Sequence, residues 1–203
     1  MSHHCEDKDC ELAALRQQQS SVLRWALAIN TAMFLVEIAA GWLAHSTALL
    51  ADALDMLSDA LAYAFTLWVL ERGPRWRAVS ALLKGIAMFA GGILVLAEAR
   101  EKVLDPVLPD AGIIALTAAA ALLANLLCLR LLWRHRADDI DLKAVWLCSR
   151  NDVLANVGVL LAAGGVAWSG TLWPDLALGV VIAVIVLDSA LHIMRGALRQ
   201  LAE

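Results

Sequence analysis

Long apolar runs separated by short polar connectors fill most of the chain. Six of them are long enough to cross the hydrocarbon core of a bilayer as helices, which takes ~20 residues each. The predicted spans are 22–44, 48–71, 78–99, 112–133, 142–168 and 174–194. Gly73-Pro74, Asp105-Pro106 and Trp173-Pro174 fall in or beside the connectors, where chain breakers belong. The runs are nearly continuous rather than alternating, which excludes a transmembrane β-barrel. The predicted fold is therefore all-α and polytopic, with six transmembrane helices. Residues 1–21 precede this domain as a polar tail, 22–194 form it, and 195–203 follow it as a short tail with no room for a soluble domain.

Composition agrees: 61% of the 203 residues are hydrophobic, against ~45–50% in ordinary soluble domains. The net charge of −4 matters less than where the charges lie. One side of the membrane collects Lys8, Arg16, Arg24, Arg72, Arg75, Arg77, Arg130, Arg134, Arg136, Lys143, Arg195 and Arg199, and the other only Arg100 and Lys102. By the positive-inside rule both termini are expected in the cytoplasm, as an even number of spans requires. Trp42, Trp68, Trp76, Trp133, Trp168 and Trp173 fall near span ends, where aromatic side chains anchor helices at the interface. The acidic N-terminus has no apolar core and is no signal peptide. The cysteines show no secreted disulfide pattern, and nothing points to a nucleic-acid partner or to an enzyme.

The informative exceptions are carboxylates inside apolar runs. Asp52, Asp55 and Asp59 share one face of span two, at spacings of three and four residues. A bare aspartate at mid-bilayer costs at least ~2.5 kcal/mol, so such residues normally line a cavity or pair. Span five carries a second polar face, Cys148, Asp152 and Asn156, each four residues apart, with Arg150 on another face. Spans two and five run antiparallel, so Asp55/Asp59 and Cys148/Asp152 reach similar depth if the helices touch. Together they offer three oxygens and a sulfur, a donor set suited to tetrahedral zinc. A thiolate argues against magnesium and calcium, while cadmium, cobalt and iron(II) stay open.

These residues carry a resemblance. Asn30-x6-Glu37-x3-Gly41-x4-Ser46-x-Ala48-Leu-Leu-Ala-Asp52-x2-Asp55-Met-Leu-Ser-Asp59, with Cys148-x3-Asp152-x5-Gly158-Val-Leu, resembles the cation diffusion facilitator family. The likeness covers the whole transmembrane unit. It implies that a transported divalent metal binds between spans two and five, at Asp55, Asp59, Cys148 and Asp152. It further implies Zn2+ (or Cd2+) as substrate, protons as counter-ion, alternating access, and a homodimer joined through transmembrane helices in a bacterial inner membrane. Zinc members of the family usually have histidine where Cys148 stands, which leaves metal preference open and makes Asn151 and Asn156 alternative ligands. The family's usual cytosolic C-terminal domain has no counterpart, so the chain resembles the short subgroup.

Blander readings compete at each position. Asp52, Glu37 and Arg150 are read as relay or helix-pairing groups, and Glu98 and Asp188 as interhelical partners. Lys84 is read as snorkelling. His3, His4, Cys5 and Cys10 match no structural zinc motif, and are read as a disordered tail or as weak metal capture at the inner mouth. Glycines of spans three and five are read as packing sites, with span three a dimer surface. Two other functions are carried beside transport: a membrane metal sensor without flux, and a proton-coupled organic-cation exporter. The exporter is disfavoured by the scarcity of aromatic residues beside the aspartates.

Overall fold

The computed structural model describes the backbone of residues 3–69, 74–133 and 140–202, with side chains described over 21–65, 67–68, 75–76, 78–131 and 152–202. Among these residues all regular structure is helical. The six helices are α1 (His3–Leu43), α2 (Thr47–Val69), α3 (Pro74–Leu104), α4 (Ala111–Trp133), α5 (Ile140–Ser169) and α6 (Trp173–Ala202). Five are long and apolar enough to cross a membrane by length and composition. The exception, α2, has 23 residues, about 35 Å at 1.5 Å per residue. Length suffices; what sets it apart is three aspartates within one span.

The observed helices overrun several predicted spans. Extra turns at 100–104 and 195–202 continue α3 and α6, because their Arg, Lys, Glu, Leu and Ala are good helix formers. The segment expected as a disordered tail is also helical, continuous with α1 from His3. Acidic residues near a helix N-terminus, followed by Ala, Leu, Arg and Gln, favour that outcome.

The polarity is inverted relative to a water-soluble bundle. Leu35, Leu94, Leu116, Leu123, Leu161 and Ile185 stand exposed, while Asn30, Glu37, Asp52, Asp59, Asn125, Asp152, Asn156 and Asp175 are buried. Only a hydrocarbon solvent makes that arrangement favourable. The chain is an integral membrane protein. Helix α2 sits innermost, against α1, α3, α5 and α6, while α4 closes the bundle between α1 and α5. The core is rich in alanine (Ala40, Ala44, Ala48, Ala51, Ala118, Ala163, Ala183, Ala190), so backbones pack closely without large side chains. The span-three glycines pack inside the chain: a Cβ at Gly85 or Gly92 would run into Met194 or Leu187 of α6. That face of α3 is consumed by packing on α6.

The turns at one end are tied together. Helix α1 closes with the Ser46 N–H donating to the Gly41 carbonyl (2.9 Å) and the His45 N–H to that of Trp42 (3.3 Å). That Schellman pattern places His45 in the left-handed region, at φ 50°. Ser46 then caps α2, accepting the Leu49 N–H at 3.1 Å. From α6, the buried Asp175 carboxylate accepts the Ser46 hydroxyl and the N–H groups of Thr47 (2.7 Å) and Ala48 (3.3 Å). Lys102 of α3 donates to the Thr47 hydroxyl at 2.8 Å and pairs with Glu98 at 3.5 Å. Asp110, which caps α4, donates its N–H to the Ala44 carbonyl at 2.9 Å. Gly179 brings α6 against the backbone of Thr47, where any Cβ would clash.

This network predicts that Asp175→Ala strips α2 of its cross-helix cap and costs about 2–3 kcal/mol. The thermal unfolding midpoint in detergent should fall by several degrees (~5 °C). Asp188→Ala, at an exposed position on α6, should leave it within about a degree.

Candidate metal centre

The aspartates of α2 occupy its buried face because the helical period of 3.6 brings 52, 55 and 59 round to one side. That side looks toward α1 and α5. Asp152 of α5 meets it, its carboxyl in hydrogen-bonding contact with both Asp55 and Asp59. Asp59 and Asp152 are buried and Asp55 is half-buried. Asp152 thus links two aspartates that do not bond each other, and three carboxyl groups gathered this way need something positive among them: protons, or a divalent cation.

Neighbouring groups orient this trio. The Tyr63 hydroxyl, one turn inward on α2, donates to Asp59 Oδ2 at 3.0 Å. Asn156 donates to the Asp152 carbonyl at 2.9 Å, fixing its own amide one turn above. Lys84 of α3 lies within electrostatic reach of Asp55 and Asp59. Behind Asp59, Tyr63 and Cys128 share a second apolar cluster with Leu23 and Ala26. Asn30 donates to the Ala26 carbonyl and to Cys128 Sγ there.

Other sequence-level candidates are distributed as follows. The side chains of Cys148, Arg150 and Asn151 lie outside the described residues, as do those of His3, His4, Cys5 and Cys10. Glu37 and Asp52 are fully buried one level outward of the trio. Glu98 pairs along its own helix with Lys102 rather than between helices. Asp188 is exposed on α6 rather than paired across helices. Among the described residues, no three His, Cys, Asp or Glu side chains close to metal-holding geometry. The trio is thus an open half-site on which a further donor would have to converge.

Three residues escaped the sequence reading, Tyr63 at the centre and Asp175 and Lys102 at the α2 cap. Tyr63 sits at i+4 from Asp59, a spacing that could have flagged it. Asp175 and Lys102 are separated by over seventy residues and meet only in three dimensions; an aspartate in the first turn of α6 was the sole local sign.

Comparison with known proteins decides the family. The model of the cation efflux transmembrane domain matches residues 23–202. The chain belongs to the cation efflux family, the cation diffusion facilitators. It is 31% identical over 195 residues to the zinc transporter ZitB of Escherichia coli K12, covering 89% of this chain and 62% of that protein. It is 27% identical over 193 residues to the metal cation efflux system protein CzcD of Cupriavidus metallidurans, covering 89% and 61%. A third relative, the cadmium, cobalt and zinc/H(+)-K(+) antiporter of Bacillus subtilis, is 25% identical over 197 residues, covering 90% and 63%. The chain spans about three fifths of the length of each of these relatives.

Removing the Tyr63 hydroxyl frees Asp59 to rotate while leaving the helix intact. If Asp59 ligates a divalent cation, Tyr63→Phe should weaken binding of that ion, with zinc as the probe, by roughly tenfold, as loss of a ligand-orienting partner does. Isothermal titration of the purified protein measures it; an unchanged affinity would remove Tyr63 from the site.

Proposed function

We propose that this cation efflux domain carries a divalent transition-metal ion across the membrane in exchange for protons, by alternating exposure of the α2/α5 centre. The observation that carries the reading is the meeting of Asp55, Asp59 and Asp152 between two helices of a bundle whose outer surface is apolar. Carboxylates that touch one another can hold either protons or a cation, and that interchange is what an antiporter requires. The relatives' names, a zinc transporter and a cadmium, cobalt and zinc/H(+)-K(+) antiporter, support metal as cargo and protons as one counter-ion.

In the inward-facing state the metal enters from the cytoplasmic side and displaces protons from the trio. Cys148, one turn inward of Asp152 on α5, supplies the fourth donor as thiolate. Zinc is the favoured cargo and cadmium the natural competitor, because one soft sulfur among hard oxygens suits both. Rocking of the helices then opens the centre outward, protons reclaim the carboxylates, and the metal leaves. The carrier works as a homodimer in a bacterial inner membrane, and the segment from His3 to Cys10 captures metal at the inner mouth.

Proteoliposomes test this directly. Zinc added outside vesicles with an internal pH indicator should move protons, and Asp59→Ala or Asp152→Ala should lower that exchange at least a hundredfold. Wild-type protein that binds zinc without flux under a proton gradient would make it a sensor instead. Cys148→His should shift the ratio of zinc to cadmium transport toward zinc, by about tenfold. An unaltered ratio would return Cys148 to packing.

A further inference from the structure

The α2/α5 centre does not use every buried oxygen beside it. Glu37 of α1 and Asp52 of α2 are both 0% exposed, and so is Asn156 of α5. Among the described residues, both carboxylate oxygens of Glu37, both of Asp52 and the amide oxygen of Asn156 have no hydrogen-bond partner. Asp52 and Asp55 both act electrostatically on Glu37, across the packed α1–α2 interface. Asp52 lies one turn outward of Asp55. Asn156 lies one turn outward of Asp152, which itself contacts Asp55 and Asp59. At 1.5 Å rise per residue Asp52 and Asn156 stand ~4.5–6 Å outward of the metal centre on their two helices, and Glu37 of α1 is within electrostatic reach of Asp52.

Helix-pairing roles for Glu37 and Asp52 require a donor, and none reaches them among the described residues. With both carboxyls ionised all five orphan atoms are acceptors, and the Asn156 amide nitrogen is already spent on the Asp152 carbonyl. An acceptor-only set sealed from water is unstable unless a positive species joins it. We propose that Glu37, Asp52 and Asn156 form a second divalent-cation position, an outward station through which metal passes between the Asp55/Asp59/Asp152 centre and the outer mouth. Its ligands are all hard oxygens, so it binds zinc, cadmium or cobalt more weakly than a centre completed by thiolate. A weaker site next to a tight one gives the ion a step out. The exit role rests on the transport reading; the binding position does not.

Equilibrium dialysis of the purified full chain in detergent against radioactive cadmium tests the position, with cadmium flux in proteoliposomes measured in parallel. Wild type should bind a tight equivalent and a second at least tenfold weaker. Glu37→Gln and Asp52→Asn should each abolish the weaker equivalent, leave the tight one within threefold, and slow flux at least tenfold. Asn156→Ala, which keeps both carboxylates, should weaken only the second equivalent and guards against a folding defect in the acidic variants. Retention of the weaker equivalent in Glu37→Gln would overturn the proposal. Loss of the tight equivalent in well-folded variants would also overturn it, by making Glu37 and Asp52 ligands of the main centre. If wild type shows no flux yet loses the weaker equivalent in Glu37→Gln, the transport reading and the exit role fail and the binding position stands. Flux unchanged in all three variants would leave transport intact and overturn the exit role.

Discussion

Charge in hydrocarbon is tolerated only where protein, proton or cation replaces the missing water, and the six helices are arranged to meet that condition. Helix α2 carries three aspartates on one face and could not stand against lipid. Its innermost place, enclosed by α1, α3, α5 and α6, follows from that face. The alanine-rich core follows in turn, because small residues let these helices approach closely enough to keep lipid from the carboxylates. Leucine, isoleucine and valine are left to meet the lipid.

The same constraint gives the bundle two unlike ends. At the end assigned by charge to the outside, Asp175, Ser46, Thr47 and Lys102 join α2, α3 and α6, and Asp110 ties α4 to the α1 turn. The polar residues deeper in the bundle are sparsely partnered: Glu37 and Asp52 have no hydrogen bond, and the Asp55/Asp59/Asp152 trio is held chiefly by itself and Tyr63. A tightly bonded outer collar over a loosely bonded acidic interior suits a carrier whose interior must exchange partners while its frame persists. In such a frame, motion is concentrated where side chains have least to lose.

Much of this was legible in sequence, for physical reasons. Hydropathy gave the helices because hydrocarbon demands continuous apolar runs, and period 3.6 gave the shared face of Asp52, Asp55 and Asp59. The expected division of that row into Asp55/Asp59 at the centre and Asp52 beyond it came from helical register, the facing Cys148/Asp152 pair and the family resemblance together. Sequence could not supply the partners. Lys84 comes within electrostatic reach of the aspartates and Asp188 is exposed, outcomes set by packing angles that no local pattern encodes, whereas the Glu98–Lys102 pair has a legible i,i+4 spacing. The Asp175 cap joins segments far apart in the chain, and the orphaned state of Glu37 is a property of what surrounds it rather than of its own spacing.

The central claim is that cargo metal is held by the α2/α5 carboxylates. It is tested most directly by zinc X-ray absorption on protein loaded with one equivalent of the ion. The account predicts a low-coordinate, oxygen-dominated shell at ~2.0 Å with a single sulfur at ~2.3 Å, and no imidazole scattering, since Asp55, Asp59, Asp152 and Cys148 include no histidine. Imidazole scattering or a second sulfur would move the metal to other ligands, with the His3–Cys10 segment first among them, and would contradict the account.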